Sequence, residues 1–392
     1  MDTRWLFLGL AGLTVACGEV DTDEPRPEDV APTRAYVVSL ESDELTIIDL
    51  DRMEVEARVS TGGVGNHMVA LARDGRQAFV TSSDSDQIIV VDTEALDVTD
   101  RVPVNGHPTH LMATPDGRHM AIMEEGHDGL GSVALLGIDS HTVEARIQGV
   151  TTPHFMRFSP DGHTGYVANI TGNFITQVDM DAFEVRGRIA MGDMDDAPLD
   201  HEGGFADAQI DAAGVLYAAH HDSGRVLVYD TVEERKLDEL TVGEAPWVAF
   251  AAHPFSDLPL RHVVPNLGDR SVSVIDGDTR AVLDRTLEGD EEAYGVNFSP
   301  LTPGLAFVML RVGRGVEVID TERQERLERI DVGGNVETAS TTPDGRHIVA
   351  AVSDANEVVV VDPVGRRVVK RFSDVGVYPW AVAVPGGQNY CH

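Results

Sequence analysis

The chain has 392 residues, a formal net charge of −36 and only two lysines, Lys236 and Lys370. So strong an anionic balance repels phosphate, which excludes DNA, RNA and an anionic membrane face as partners and admits cations and basic proteins. Most of that charge reads as an adaptation for solubility or salt.

Residues 1–16 read as an export signal. Arg4 supplies a weak basic start, Trp5 to Val15 is an apolar run, and Ala16-Cys17 ends it. The run is too short to span a bilayer, and no other stretch is long and apolar enough to do so. The segment resembles a bacterial lipoprotein signal, which implies that Cys17 becomes the lipidated first residue. It departs from that pattern at Leu13, one position early, and at Asp2. Gly18 after the cysteine resembles outer-membrane sorting. The expected address is the cell envelope, periplasmic or outer-membrane, with membrane contact only through the lipid anchor. Residues 17–33 are acidic and hold Pro25, Pro27 and Pro32, so a disordered linker is expected there. With Cys17 lipidated, Cys391 has no partner in the chain, and no disulfide framework exists. No Cys-x-x-Cys-His occurs, which excludes covalent c-type haem.

From residue 34 onward one signal recurs. An apolar run ends in Asp at Asp49, Asp92, Asp139, Asp179, Asp230, Asp276, Asp320 and Asp362, at separations of 43, 47, 40, 51, 46, 44 and 42 residues. A period of that size in a β-like sequence marks a propeller, one four-stranded sheet per repeat. In the repeat from Asn66 to Val104, strands are predicted at 67–72, 77–81, 87–92 and 97–104, with a turn at Arg73-Asp-Gly75. The turn recurs as Pro115-Asp-Gly117, Pro160-Asp-Gly162 and Pro343-Asp-Gly345; Pro presets φ and Gly permits positive φ. First strands begin near His67, Thr109, His154, Phe205, Trp247, Tyr294, Glu337 and Trp380. The last has no second strand after it, and Arg34 to Ser60 holds three strands without a first. The two ends are therefore expected to complete one sheet. The fold class is all-β, an eight-bladed propeller over residues 34–392, with seven blades as the alternative.

The Val-Ile-Asp strand ends, the Pro-Asp-Gly turns and the lead-ins Gly106-His-Pro108, Glu244-Ala-Pro246 and Val377-Tyr-Pro379 resemble the YVTN-type bacterial propellers. That resemblance covers roughly residues 34–390. It speaks for fold and says little about activity, because function lives in sites grafted onto a fold.

The histidines carry the functional signal. Loops into first strands hold His67, His107, His110, His154 and His201, and loops between second and third strands hold His127, His220 and His221. Both kinds of loop lie on one face of a propeller. The same loops carry Glu124, Glu125, Asp128, Asp193, Asp195, Asp196, Asp200 and Glu202. Such a mixture suits zinc, or copper with help from Met68, Met112 or Met156. The metal candidates are His67, His110, His154, His201 and His220. Against this, His67 and His154 share a repeat position with Trp247, Tyr294 and Trp380, so a large ring is equally what that position packs. His110 is one residue out of phase, and a one-residue slip reverses a strand side chain.

His67-Met-Val-Ala-Leu-Ala-Arg-Asp-Gly75, Leu199-Asp-His201-Glu-Gly-Gly-Phe205 and Ala252-His-Pro254 running to Leu267-Gly-Asp269 resemble the d-type-haem propeller of cytochrome nitrite reductases and their maturation proteins. The resemblance implies a cofactor site with His67 as proximal iron ligand and His201 as distal. A further distal His expected in the next blade is replaced by Glu244-Ala245, and basic residues to hold the pigment's carboxylates are scarce. Periplasmic propellers that carry zinc to a transporter are similar in their His/Asp face.

Other chemistry is thin. There is no Ser nucleophile elbow, no phosphate-binding glycine loop and no helix-borne zinc motif. Glu124-Glu125 reads as a solvated pair rather than an acid and base, and Cys391-His392 as an exposed tail. The expectation is an exported, monomeric lipoprotein without intrinsic catalysis. It would serve as a binding scaffold for a metal ion or a protein partner, its histidine-rich top face holding zinc or copper. The alternatives are a d-type-haem oxidoreductase or maturation protein, and a plain protein–protein interaction propeller.

Overall fold

The computed structural model describes residues 33–127, 131–194, 197–251, 258–283, 287–288 and 291–389. The expected signal, Cys17, nearly all of the linker, Asp128, Asp195, Asp196, His253, Cys391 and His392 lie outside the described residues. Thr33, placed in the linker by sequence, already belongs to the propeller: its carbonyl accepts from Leu50 N at 2.9 Å and its own N–H donates to Asp51 Oδ2 at 2.9 Å.

The chain is an all-β propeller. The described residues form eight antiparallel sheets, seven of four strands and one of five. The sheet Asn66–Leu71, Gln77–Ser82, Gln87–Asp92, Asp97–Pro103 shows why the sequence folds this way. Its third strand, Gln-Ile-Ile-Val-Val-Asp, buries all four central residues, because neighbouring sheets cover both of its faces. Its fourth strand alternates and leaves most side chains in solvent. The same contrast recurs at Arg225–Asp230 against Arg235–Thr241 and at Glu357–Asp362 against Arg367–Phe372.

The recurring aspartates are turn caps. Asp49, Asp92, Asp179, Asp230, Asp320 and Asp362 each accept the N–H groups of the second and third residues that follow, at 2.7–3.1 Å. Four residues after each Asp the backbone turns left-handed, at Met53, Leu96, Phe183, Glu234, Gln324 and Arg366. A short carboxylate that mimics a backbone acceptor is what lets this hairpin reverse without glycine.

The innermost strands follow one another round a closed circuit. Pro379–Ala383 contacts Asn66–Leu71, which contacts Pro108–Ala113, then Pro153–Phe158, Phe205–Ile210 and Phe250–Ala251. The step to Glu292–Phe298 is carried mainly by Arg261–Asn266, after which Val336–Thr341 returns to Pro379–Ala383. The circuit is closed by pairing of the chain ends: Tyr36 faces Ala383, Val37 faces Val382 and Val38 faces Ala381. Two features depart from the sequence expectation. The first strand expected from Trp247 is reduced to Phe250–Ala251, with Pro246 and Asn266 forming an isolated bridge. Gln388–Asn389 adds a fifth strand against Ser340 and Thr341.

Removing residues 379–392 deletes the strand that protects the edge of Arg34–Ser39. The truncated protein is expected to aggregate or lose cooperative thermal unfolding; an unchanged melting temperature would show that the ends do not hold the ring closed. A second test concerns Glu124, which is fully buried and accepts from Arg146 Nε and Nη2 (2.8 Å each), Ser132 Oγ (2.5 Å) and Asn105 N (2.8 Å). Glu124→Ala strands a half-buried guanidinium and is expected to cost about 3–5 kcal/mol in urea unfolding.

Candidate functional site

Bulges at the start of the innermost strands build the site. Pairing with the second strand shifts register between Asn66 and Val69, Pro108 and Leu111, Pro153 and Phe155, Ala293 and Val296, and Val336 and Ala339. The residues inside those irregular stretches include His67, His110, His154, Tyr294 and Glu337. A bulge re-aims side chains locally, and His110, one place further into its irregular stretch than His67 and His154, has its ring against both of theirs.

The result is a line of rings. Trp380 lies 5.6 Å from His67, His67 lies 5.1 Å edge-on from His110, and His110 lies 4.2 Å from His154. Beyond His154 come Trp247 at 6.0 Å and Tyr294 stacked on it at 5.6 Å. The large-ring position inferred from the repeat is therefore real, and three imidazoles occupy consecutive places in it.

Hydrogen bonds set the tautomers. His67 Nδ1 lies 3.0 Å from the Thr109 carbonyl and His154 Nδ1 lies 2.8 Å from the Ala206 carbonyl. A carbonyl only accepts, so both Nδ1 atoms carry hydrogen and the neutral rings keep the Nε2 lone pair. Burial pushes both imidazoles down to about 4, so each is neutral at physiological pH.

His201 and His220 stand apart from this line. His220 is fully buried; its Nε2 donates to Asn173 Oδ1 at 3.0 Å, while its Nδ1 accepts from Ser223 N at 3.3 Å. With both nitrogens engaged it is a satisfied core histidine, and burial lowers it to about 4. His201 is exposed, with Nδ1 2.9 Å from Asp200 Oδ1 and Nε2 2.7 Å from Asp222 Oδ2. Two carboxylate partners require two N–H groups, and the hydrogen bond from Asp200, followed by that from Asp222, raises its pKa. An imidazolium has no lone pair for a metal. Among the described residues no three His, Cys, Asp or Glu side chains are gathered to hold a metal ion as they stand.

Other expected groups are placed as follows. Glu125 lies 3.9 Å from His107, and burial raises its carboxyl. His127 pairs with Asp86 at 2.8 Å on the surface. His221 shares Asp222 with His201, at 3.3 Å, and its ring lies 6.0 Å edge-on from Trp247. His221 and Asp222 also line a cleft of about 540 Å³ with Glu244 and Asp269. A d-type haem does not fit this set: His67 presents a suitable Nε2, but His201 does not, and Glu244 brings a carboxylate to the position where the haem propellers place a third histidine. Sequence reasoning missed Arg311, whose guanidinium lies 4.7 Å above the Tyr294 ring. No motif marks it, because it comes from a second strand.

The buried imidazoles make stability acid-sensitive. His67, His154 and His220 are depressed to about 4 in the fold and return to 6.5 on unfolding. The unfolded chain therefore binds more protons between those limits, so this stability is complete above about pH 6.5 and is lost as pH falls toward 4. The difference in unfolding free energy between wild type and His154→Phe is expected to shrink from pH 7 to pH 5. A constant difference would show that His154 is not held neutral.

Comparison with known proteins places the fold. No curated protein matches the chain. Among solved structures it is similar to the dihydro-heme d1 dehydrogenase NirN in complex with DHE, at 18% identity and TM-score 0.75, over 90% of this chain and 75% of that one. It is similar to apo AztD from Citrobacter koseri, at 14% identity and TM-score 0.64, over 92% of this chain and 100% of that one. The hydrazine synthase of Kuenenia stuttgartiensis matches at 19% identity and TM-score 0.57, over 76% of this chain and 95% of that one. At such identities the likeness is one of fold. The family described as SMP-30/Gluconolactonase/LRE-like region matches residues 29–258, more than half the sequence, and the chain belongs to that family.

Proposed function

We propose that this protein is an exported lipoprotein, anchored through Cys17 in the cell envelope, that binds a ligand without catalysing a reaction. In this reading the eight sheets are eight blades of one ring. The ligand is a single zinc or copper ion seated on His67, His110 and His154 at one opening of the channel. The observation that carries the proposal is the pair of Nδ1–H donors held by backbone carbonyls at 3.0 and 2.8 Å, which leaves Nε2 as the acceptor on His67 and His154. A metal-ligating histidine has this arrangement, its second nitrogen fixed by an outer partner. Neutral rings are the ligand form, and desolvation keeps them neutral. The Nε2 atoms must turn toward a common point to reach ligand distances of about 2 Å. His201 and His220 take no part, because their nitrogens are already engaged.

Untagged, chelator-stripped protein titrated with zinc or copper is expected to gain about 2.7 kcal/mol of stability at a hundredfold excess over Kd. His67→Phe combined with His154→Phe should abolish the gain, and His163→Asn, on the opposite end of a strand pair, should not. Binding should persist to about pH 5, because these imidazoles protonate only near 4, whereas ordinary histidines would release metal near 6.5. Equal stabilisation of wild type and the double variant, or release of metal by pH 6, would overturn the proposal.

A further inference from the structure

The ring line that begins at the imidazoles continues to a cation. His154 meets Trp247, Trp247 stacks on Tyr294 at 26°, and the Arg311 guanidinium covers Tyr294. Arg311 Nε lies 3.2 Å from Glu337 Oε2, and Glu337 is almost fully buried. The guanidinium is therefore fixed twice, by a carboxylate on one edge and an aromatic ring beneath its plane. The Arg311 side chain is 36% exposed, and its ion pair with Glu337 is made through Nε, with the terminal nitrogens on the outer edge of the guanidinium. Other arginines are engaged through their terminal nitrogens. Arg225 bridges Asp193 and Glu239, Arg371 binds Glu357 and the Val332 carbonyl, and Arg101 binds the Thr61 carbonyl. On a chain of net charge −36, an arginine held flat with its terminal nitrogens on the outer edge is an anion-recognition element.

We infer that Arg311 anchors the carboxylate of a planar organic acid whose body lies against half-buried Trp247, Tyr294 being buried beneath the guanidinium. The inference rests on reading this opening as a binding seat, and it does not require the metal. Glu337 is a positioning residue. It holds Nε and leaves the two terminal nitrogens as a fork that matches one carboxylate in bidentate fashion. The charge balance narrows the ligand further. Arg311 and Glu337 sum to zero, and Glu292 also lies within electrostatic range of Arg311. The seat is thus neutral to negative, so a single negative charge is taken only through direct bidentate contact with Arg311, and phosphate or a pigment with several carboxylates is repelled. The aromatic wall selects a flat apolar body, because stacked and edge-to-face contacts reward planarity.

The test uses the chelator-treated full-length protein, so that its outcome is independent of zinc or copper binding. Benzoate is titrated while tryptophan fluorescence and melting temperature are followed, with benzamide as the neutral isostere and inorganic phosphate as the polyanion. Saturable binding and a raised melting temperature are expected for benzoate alone. Arg311→Gln should weaken benzoate at least about tenfold, the size of one charge-assisted contact. Arg311→Lys, which keeps the charge without the fork, should fall between. Glu337→Gln should fold and bind phosphate better than the wild type does, because one of the two carboxylates beside Arg311 is removed and the local balance rises to zero. Cooperative unfolding of each variant checks that it folds. Equal benzoate affinity in wild type and Arg311→Gln, or no saturable benzoate binding by the wild type, overturns the inference. A positive metal titration beside a negative benzoate titration would leave the metal seat standing and remove the carboxylate anchor, and the reverse would do the opposite.

Discussion

A four-stranded sheet with two apolar faces has to be covered on both, and in this chain each sheet is covered only by its neighbours. Every other feature depends on that constraint. The central strands are buried from end to end, as at Ile88–Val91 and Val358–Val361, and the fourth strands turn their alternating outer face to solvent. An open row of such sheets would leave two apolar faces and two strand edges in water. Pairing of Arg34–Ser39 with Pro379–Ala383 removes both problems at once, which makes closure a matter of stability as much as of shape.

The same constraint produces the candidate site. Innermost strands converge on the axis, where space is limited and backbone approaches backbone. Bulges relieve the crowding and turn side chains toward the opening. Rings held there lose water, and loss of water keeps histidine neutral. His67 and His154 then retain a ligand lone pair down to acidic pH, whereas His201, in solvent between two carboxylates, is driven to the charged form. Three histidines of similar sequence context thus take opposite protonation states, and the difference comes from burial and partners.

Charge is partitioned with equal economy. Carboxylates outnumber cations by more than two to one, and most of the arginines named above bind carbonyls or carboxylates within or between sheets. Arg146 neutralises buried Glu124, and Arg157 does the same for buried Asp207. Arg311 differs because its partner takes only Nε. A half-exposed guanidinium, separated from the neutral imidazoles by the Trp247 and Tyr294 rings, ends a line of mixed chemistry on a chain that is otherwise strongly acidic.

The sequence alone determined the all-β class, the repeat and the joining of the chain ends, because each rests on local signals. A period set by Asp-capped turns, apolar runs of strand length and Pro-Asp-Gly reversals survives without knowledge of neighbours. It also marked His67 and His154 as sharing a position with Trp247, Tyr294 and Trp380. Only the tertiary structure decided which histidines meet. The phase of His110 argued against its joining the line, yet its ring lies against His67 and His154 from within the irregular stretch between Pro108 and Leu111, where strict alternation no longer holds. His220 and His201 sat in the right loops, yet Asn173, Ser223, Asp200 and Asp222 occupy their nitrogens, through contacts made by backbone and side chains of neighbouring loops. Arg311 was invisible for a related reason: its role depends on Tyr294, from the strand paired with its own, and on Glu337, which approaches it only when the next sheet packs alongside.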